Sequence, residues 1–192
     1  MILKAINKEE LVLSSSGVAR RLSVPRDFDK KAFSAVEEEL LAVMDCKMAA
    51  VRVPSFVKGG EVLLGTVSVQ SKDLAKSIGD ADEAFVFAVT LGMGVERMLN
   101  RLSKTSVSTH FVADALASAY AEAAIERAQS ILEGEAKTKK RFSPGYGDLP
   151  LEIQPEILEM LNAKSLLGIM LTDTLLMKPQ KSITAIVGIE NE

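Results

Sequence analysis

The sequence predicts an α+β fold. Some segments carry apolar residues at intervals of three and four, as half-buried helices do, while others alternate or run continuously apolar, as strands do. The two kinds mix irregularly rather than as a regular βαβ series. No internal repeat or low-complexity tract interrupts them.

Residues 1–5 and 10–13 read as short strands, and Ser14-Ser15-Ser16-Gly17 as a turn. Asp27 or Asp29 can cap a helix running to Asp45, with Phe33, Val36, Leu40, Leu41 and Met44 inward. Strand-like runs over 48–57 and 62–69 flank Lys58-Gly59-Gly60, where the glycines permit a tight hairpin. Ser71 caps a short helix through Ile78, and the continuous apolar run 84–89 is a buried strand. Thr90 to Gly94 leads into a helix over 95–102. Ser106 or Ser108 then caps the longest helix, ending near Glu133 with Val107, Phe111, Ala115, Ala119, Ala123 and Ala128 as its stripe. Its many alanines predict a close neighbour. Residues 135–140 read as an exposed loop, and 151–161 as an amphipathic helix with Ile153, Ile157, Leu158 and Leu161 inward. Residues 168–172 and 183–189 are β-like, with a turn at Met177-Lys178-Pro179 between them.

A chain of 192 residues suits one domain over 1–192, or two tightly joined lobes. At this size roughly 70% of the unfolded surface can be buried, so no disulfide or metal is needed to hold a core. The net charge of −3 argues against a nucleic-acid partner. Cys46 is the only cysteine, which fits a reducing cytoplasm. The first ten residues lack the apolar run of a signal peptide. The apolar stretch 166–177 is broken by Gly168 and Asp173 and is too short for a bilayer. A cytoplasmic protein without a membrane partner is expected.

Several residues carry chemistry in other settings. Gly92-x-Gly94 before a helix resembles a phosphate cradle, but the third glycine of a dinucleotide fingerprint and the Lys-Ser/Thr of a P-loop are missing, so a plain tight turn is the better reading. His110, the only histidine, cannot build a typical zinc site with one distant cysteine. Nothing near Cys46 in sequence marks a base that would activate it as a nucleophile. Glu122 and Glu126, one helical turn apart, share a face that is either solvated or turned to a cationic ligand.

The exceptional stretch is Arg141-Phe142-Ser143-Pro144-Gly145-Tyr146-Gly147-Asp148-Leu149-Pro150. Two prolines and two glycines in ten residues exclude helix and interior strand and leave a stiff, defined loop. Pro144 fixes its own φ and restricts Ser143, while Gly145 and Gly147 permit close backbone approach or positive φ. A rigid loop displaying an Arg and a Tyr suits a small ligand with a carboxylate and a flat ring.

This loop resembles the Arg-x-x-x-Gly-Tyr-x-x-x-Pro motif of the activation domain of cobalamin-dependent methionine synthase, met here by Arg141, Gly145, Tyr146 and Pro150. The similarity continues through Leu171-Thr172-Asp173-Thr174, Met177, Pro179 and Ser182. It extends more loosely upstream to Ser71, so that residues 71–189 carry it. The resemblance implies a C-shaped α+β domain with a bent, mainly antiparallel sheet flanked by helices. It also implies a shallow groove for S-adenosylmethionine (AdoMet). Carried over by motif, Arg141 would hold the AdoMet carboxylate, and Pro144, Gly145 and Tyr146 would line the groove near the reacting methyl. No residue of this chain is implied as catalytic, and none as a metal ligand. Cobalamin would be carried by a partner, a methionine synthase core, with a flavodoxin-like or other electron donor. The family's ligand-binding Glu on the long helix falls at Ser118 here, and Glu122, one turn on, is the substitute expected from position. Ile186-Val187-Gly188 stands where long synthases carry an aromatic pair. The role implied is reactivation of cob(II)alamin enzyme by reductive methylation, acting on a separate core. A noncatalytic docking partner that has lost AdoMet is the alternative.

Overall fold

The computed structural model describes residues 1–13 and 33–191. The turn expected over 14–17 and the expected caps Asp27 and Asp29 lie outside the described residues. The fold is α+β: helices flank a curled sheet in which every strand pairing is antiparallel.

The spine is β2 (Lys47–Lys58), which changes partners along its length. One edge pairs with β5 (Glu83–Thr90) over Lys47 to Pro54. The other takes β1 (Ile2–Ala5) at its start and β3 (Glu61–Leu64) at its end. β4 (Val67–Gln70) and β8 (Ser182–Gly188) complete the order β4-β3-β2-β5-β8. Pro54, with no N–H to give a ladder, sits where the partners change. The run 62–69 is two strands rather than one, because Gly65 at φ +60° turns the chain back and donates its N–H to the Pro54 carbonyl at 2.9 Å. No strand forms over 10–13. A 3-10 turn at Lys8–Glu10, capped by Asn7, uses the Leu11 amide locally, and Leu11 is buried.

β5 explains its own continuous apolar run. Successive side chains point to opposite faces, and both faces are covered. Phe85, Phe87 and Val89 meet α1 (Ser34–Val43), α3 (Met93–Thr105) and α4 (Val107–Glu133) in one core. Ala84, Val86 and Ala88 meet α2 (Lys72–Ile78), α5 (Gln154–Met160) and α6 (Ala163–Leu167) in a second. The short hairpin β6 (Met170–Leu171) and β7 (Met177–Lys178) precedes β8.

Helix α4 packs closely through Ala113, Ala117, Ala124 and Ala128, all fully buried. Its stripe starts later than its sequence suggests, since Val107 and Phe111 are 77% and 53% exposed. The 27 residues of α4 span about 40 Å, while the eight residues of β5 cover about 27 Å, so the first turns of the helix overrun the sheet.

Candidate functional site

The segment read as an exposed loop over 135–140 is in part a continuation of the sheet. β8 is an edge strand whose backbone groups need partners, and the chain after α4 supplies them. Lys139 N donates to Gly188 O at 2.9 Å, and Phe142 and Ile186 exchange N–H···O bonds, both at 2.8 Å. Thr138 is buried as a result. Three lysines among Lys137, Lys139 and Lys140 disguise this edge in the sequence. The pairing fixes the backbone on both sides of Arg141.

The guanidinium of Arg141 then reaches back to α4. Its Nη1 donates to Gln129 Oε1 at 3.2 Å, and Nη2 lies 4.0 Å from Glu126 Oε1. The side chain is 28% exposed, so it is held yet still open on one side.

The following loop closes on itself and onto α2. Gly145 N donates to Leu149 O at 2.9 Å and Leu149 N to Tyr146 O at 3.0 Å, with Leu149 buried beneath. Asp148 ties the loop down. Its carboxylate accepts from the Ser71 hydroxyl, from Lys72 N at 2.8 Å and from Asp73 N at 3.1 Å, at the start of α2, where a helix offers unpaired N–H groups. Asp73 returns the contact by accepting from Asp148 N at 3.2 Å. Gly147 sits at φ +53°, and a Cβ there would lie 2.2 Å from Asp73 Oδ2. Sequence reading placed Asp148 inside the motif without a role. Its partners are some 75 residues away, beyond any local pattern.

These contacts, the Ser71 hydroxyl first, hold the Asp148 carboxyl below its usual range. A depressed carboxylate pKa adds stability above the unfolded value, and that stability is lost as pH falls through the folded value. Wild type is therefore expected to lose more stability than Asp148→Asn as pH drops through about 4, the ordinary Asp value, and below. Parallel acid-dependent urea melts of the two proteins would contradict this.

Between α4, this loop, α2 and β8 lies an open groove of about 1340 Å³. Arg141, Pro144, Tyr146 and Glu122, four of the five residues expected to bind a ligand, line it together. Gly145 does not line it. At φ +84° it makes the turn that presents Tyr146, a residue 66% exposed. Gln129, Gln154, Lys181, Ser182 and Thr184 add polar groups that sequence reading did not single out as ligand contacts.

Residues 69–192 match the family model described as the activation domain of vitamin B12-dependent methionine synthase. The chain belongs to this family. The crystal structure of the MetH reactivation domain bound to AdoHcy superposes with a TM-score of 0.76, covering 98% of this chain and 78% of that one at 15% identity. No curated protein sequence matches. The fold similarity thus reaches described residues before the family match begins, including β1 and most of β2.

Against this background the departures of this activation domain have structural reasons. Beside Ser118, the expected position of a carboxylate, stands an ammonium: Lys181 Nζ donates to Ser118 Oγ at 2.9 Å and pairs with Asp114 at 2.7 Å. Ile186 and Val187 are fully buried within β8, and a Cβ on Gly188 would meet Ala81 and Ile78 at 3.2 Å, so these positions belong to the core.

Gly92, Gly94, Cys46 and His110 do not line the groove. Gly92, at φ +86°, turns the chain into α3, and Gly94 packs against the Val43 carbonyl. Cys46 is buried, and desolvation, aided by the neighbouring Asp45 charge, pushes its thiol up to about 12, which suppresses the nucleophilic thiolate. His110 is half-buried near the start of α4 with Nδ1 unpartnered. Glu122 and Glu126 part company, the first lining the groove and the second lying near Arg141. Among the described residues no three His, Cys, Asp or Glu side chains gather as a metal site, and no helix is long and apolar enough to cross a membrane.

Proposed function

We propose that this activation domain binds AdoMet in the groove and presents its methyl group to the cobalamin of a separate methionine synthase core. The observation that supports this best is the clustering of Arg141, Pro144, Tyr146 and Glu122 on one open surface. They come from the stiff loop and from a helix, and a shared groove is what a zwitterionic, sulfonium-bearing ligand requires. Arg141 offers a planar fork that grips a carboxylate through parallel hydrogen bonds. Glu122 supplies an anion for the ligand ammonium. The exposed Tyr146 ring can face the sulfonium, a cation–π contact.

The groove is open on one side, as methyl delivery to a second macromolecule demands. Cobalamin, bound by the core, supplies the redox chemistry, with one electron from a flavodoxin-like or other donor. This chain's residues hold and aim the methyl donor, and AdoHcy remains when the methyl has left.

Calorimetric titration with AdoMet, and separately with AdoHcy, tests the reading. Saturable one-site binding of both is expected. The ammonium beside Ser118 favours the second reading, a docking partner without AdoMet, and a flat isotherm for both ligands would select it.

A further inference from the structure

The side chain that decides how Arg141 can act is Gln129, one helical turn beyond Glu126 on α4. Its amide spans two elements. Nε2 donates to Lys139 O at 3.1 Å and to Thr138 Oγ1 at 3.1 Å, both on the segment leading to Arg141. Oε1 accepts from Arg141 Nη1 at 3.2 Å. The orientation of the amide follows from chemistry. A carbonyl only accepts and a guanidinium only donates, so the nitrogen must face Lys139 and the oxygen Arg141. Gln129 itself lines the groove.

We infer that Gln129 is a positioning residue that aims the Arg141 fork into the groove while leaving its charge uncommitted, and so sets recognition of the ligand's carboxylate. This rests on the proposed AdoMet reading. A carboxylate in the same place would still accept from the guanidinium, but it could not donate to Lys139 O, and it would form an ion pair with Arg141 and compete with the ligand. A neutral amide orients without competing. Glu126, the nearest anion on the helix, stands off at 4.0 Å with a 66% exposed side chain, where water screens it.

The test uses the purified chain and two ligands, AdoMet and decarboxylated AdoMet, which differ only in the carboxylate. Gln129→Glu is expected to weaken AdoMet binding about tenfold or more while leaving decarboxylated AdoMet within about twofold of wild type, because only the first ligand competes with the new anion. Gln129→Leu, which removes the anchor, is expected to weaken AdoMet selectively as well. The decarboxylated ligand reports whether each variant still folds its groove. Equal losses for both ligands would show a merely structural role and overturn the inference. Unchanged AdoMet binding by Gln129→Glu would also overturn it. Were wild type to bind neither ligand, the AdoMet reading itself would fall, and this inference with it.

Discussion

Arg141→Ala is expected to weaken AdoMet binding roughly 10- to 150-fold, the equivalent of about 1.5–3 kcal/mol for a hydrogen bond to a charged group. The backbone around Arg141 is pinned independently of its side chain, by the Lys139–Gly188 and Phe142–Ile186 bonds. The loop beyond is pinned by Asp148 on α2. Truncation therefore removes the fork and spares the groove, and the melting temperature should stay close to wild type. Arg141→Lys should recover little. An ammonium keeps the charge but loses the planar pair of donors, and it cannot serve Gln129 and a carboxylate in the same geometry. Matching isotherms for wild type and Arg141→Ala would remove Arg141 from the site.

Gly94→Ala is expected to destabilise the fold, against the usual rule. Alanine in a helix ordinarily gains up to about 1 kcal/mol over glycine. Here a Cβ would stand 2.0 Å from the Val43 carbonyl oxygen and 3.1 Å from its carbon, at the end of α1. Those are backbone atoms, so relief requires moving one helix against the other. Overpacking of this kind costs about 1–3 kcal/mol and sometimes more. For a chain of this size each kcal/mol lowers the melting temperature by about 2–4 °C. A fall of several degrees is expected, with AdoMet binding retained below the melt. An unchanged or raised melting temperature would mean that the helices are not in contact there.

Much of this was legible locally. Ser71 announces α2 because its hydroxyl accepts from Leu74 N only three residues on. The run 84–89 announces a strand buried on both faces, and the prolines and glycines of 141–150 announce a rigid loop. The same residues do not reveal what the rigidity serves. Asp148, Gln129 and Lys181 look like ordinary polar residues until the fold brings them to α2, Arg141 and Ser118. Gly94 illustrates the same limit. Gly-x-Gly before a helix reads alike whether it cradles a phosphate or lets two helices touch, and only the position of Val43 separates the cases. The edge pairing of 137–142 was hidden because charged side chains are compatible with both an exposed loop and a solvent-facing sheet edge. Val107 and Phe111 misled for the opposite reason: helical spacing reports a face but not where the partner ends.

The proposed delivery of a methyl group from AdoMet to the cobalamin of a separate synthase core is open to direct test. The most direct measurement starts from a cognate core trapped as cob(II)alamin and supplied with a reductant and methyl-labelled AdoMet, with and without this protein. Labelled methylcobalamin and recovered methionine synthesis are expected only when the protein is present, and both are expected to fall sharply with Arg141→Ala. Label transfer and recovery that are the same without the protein, or that are absent with it under conditions where a fused activation domain restores activity, would contradict the account.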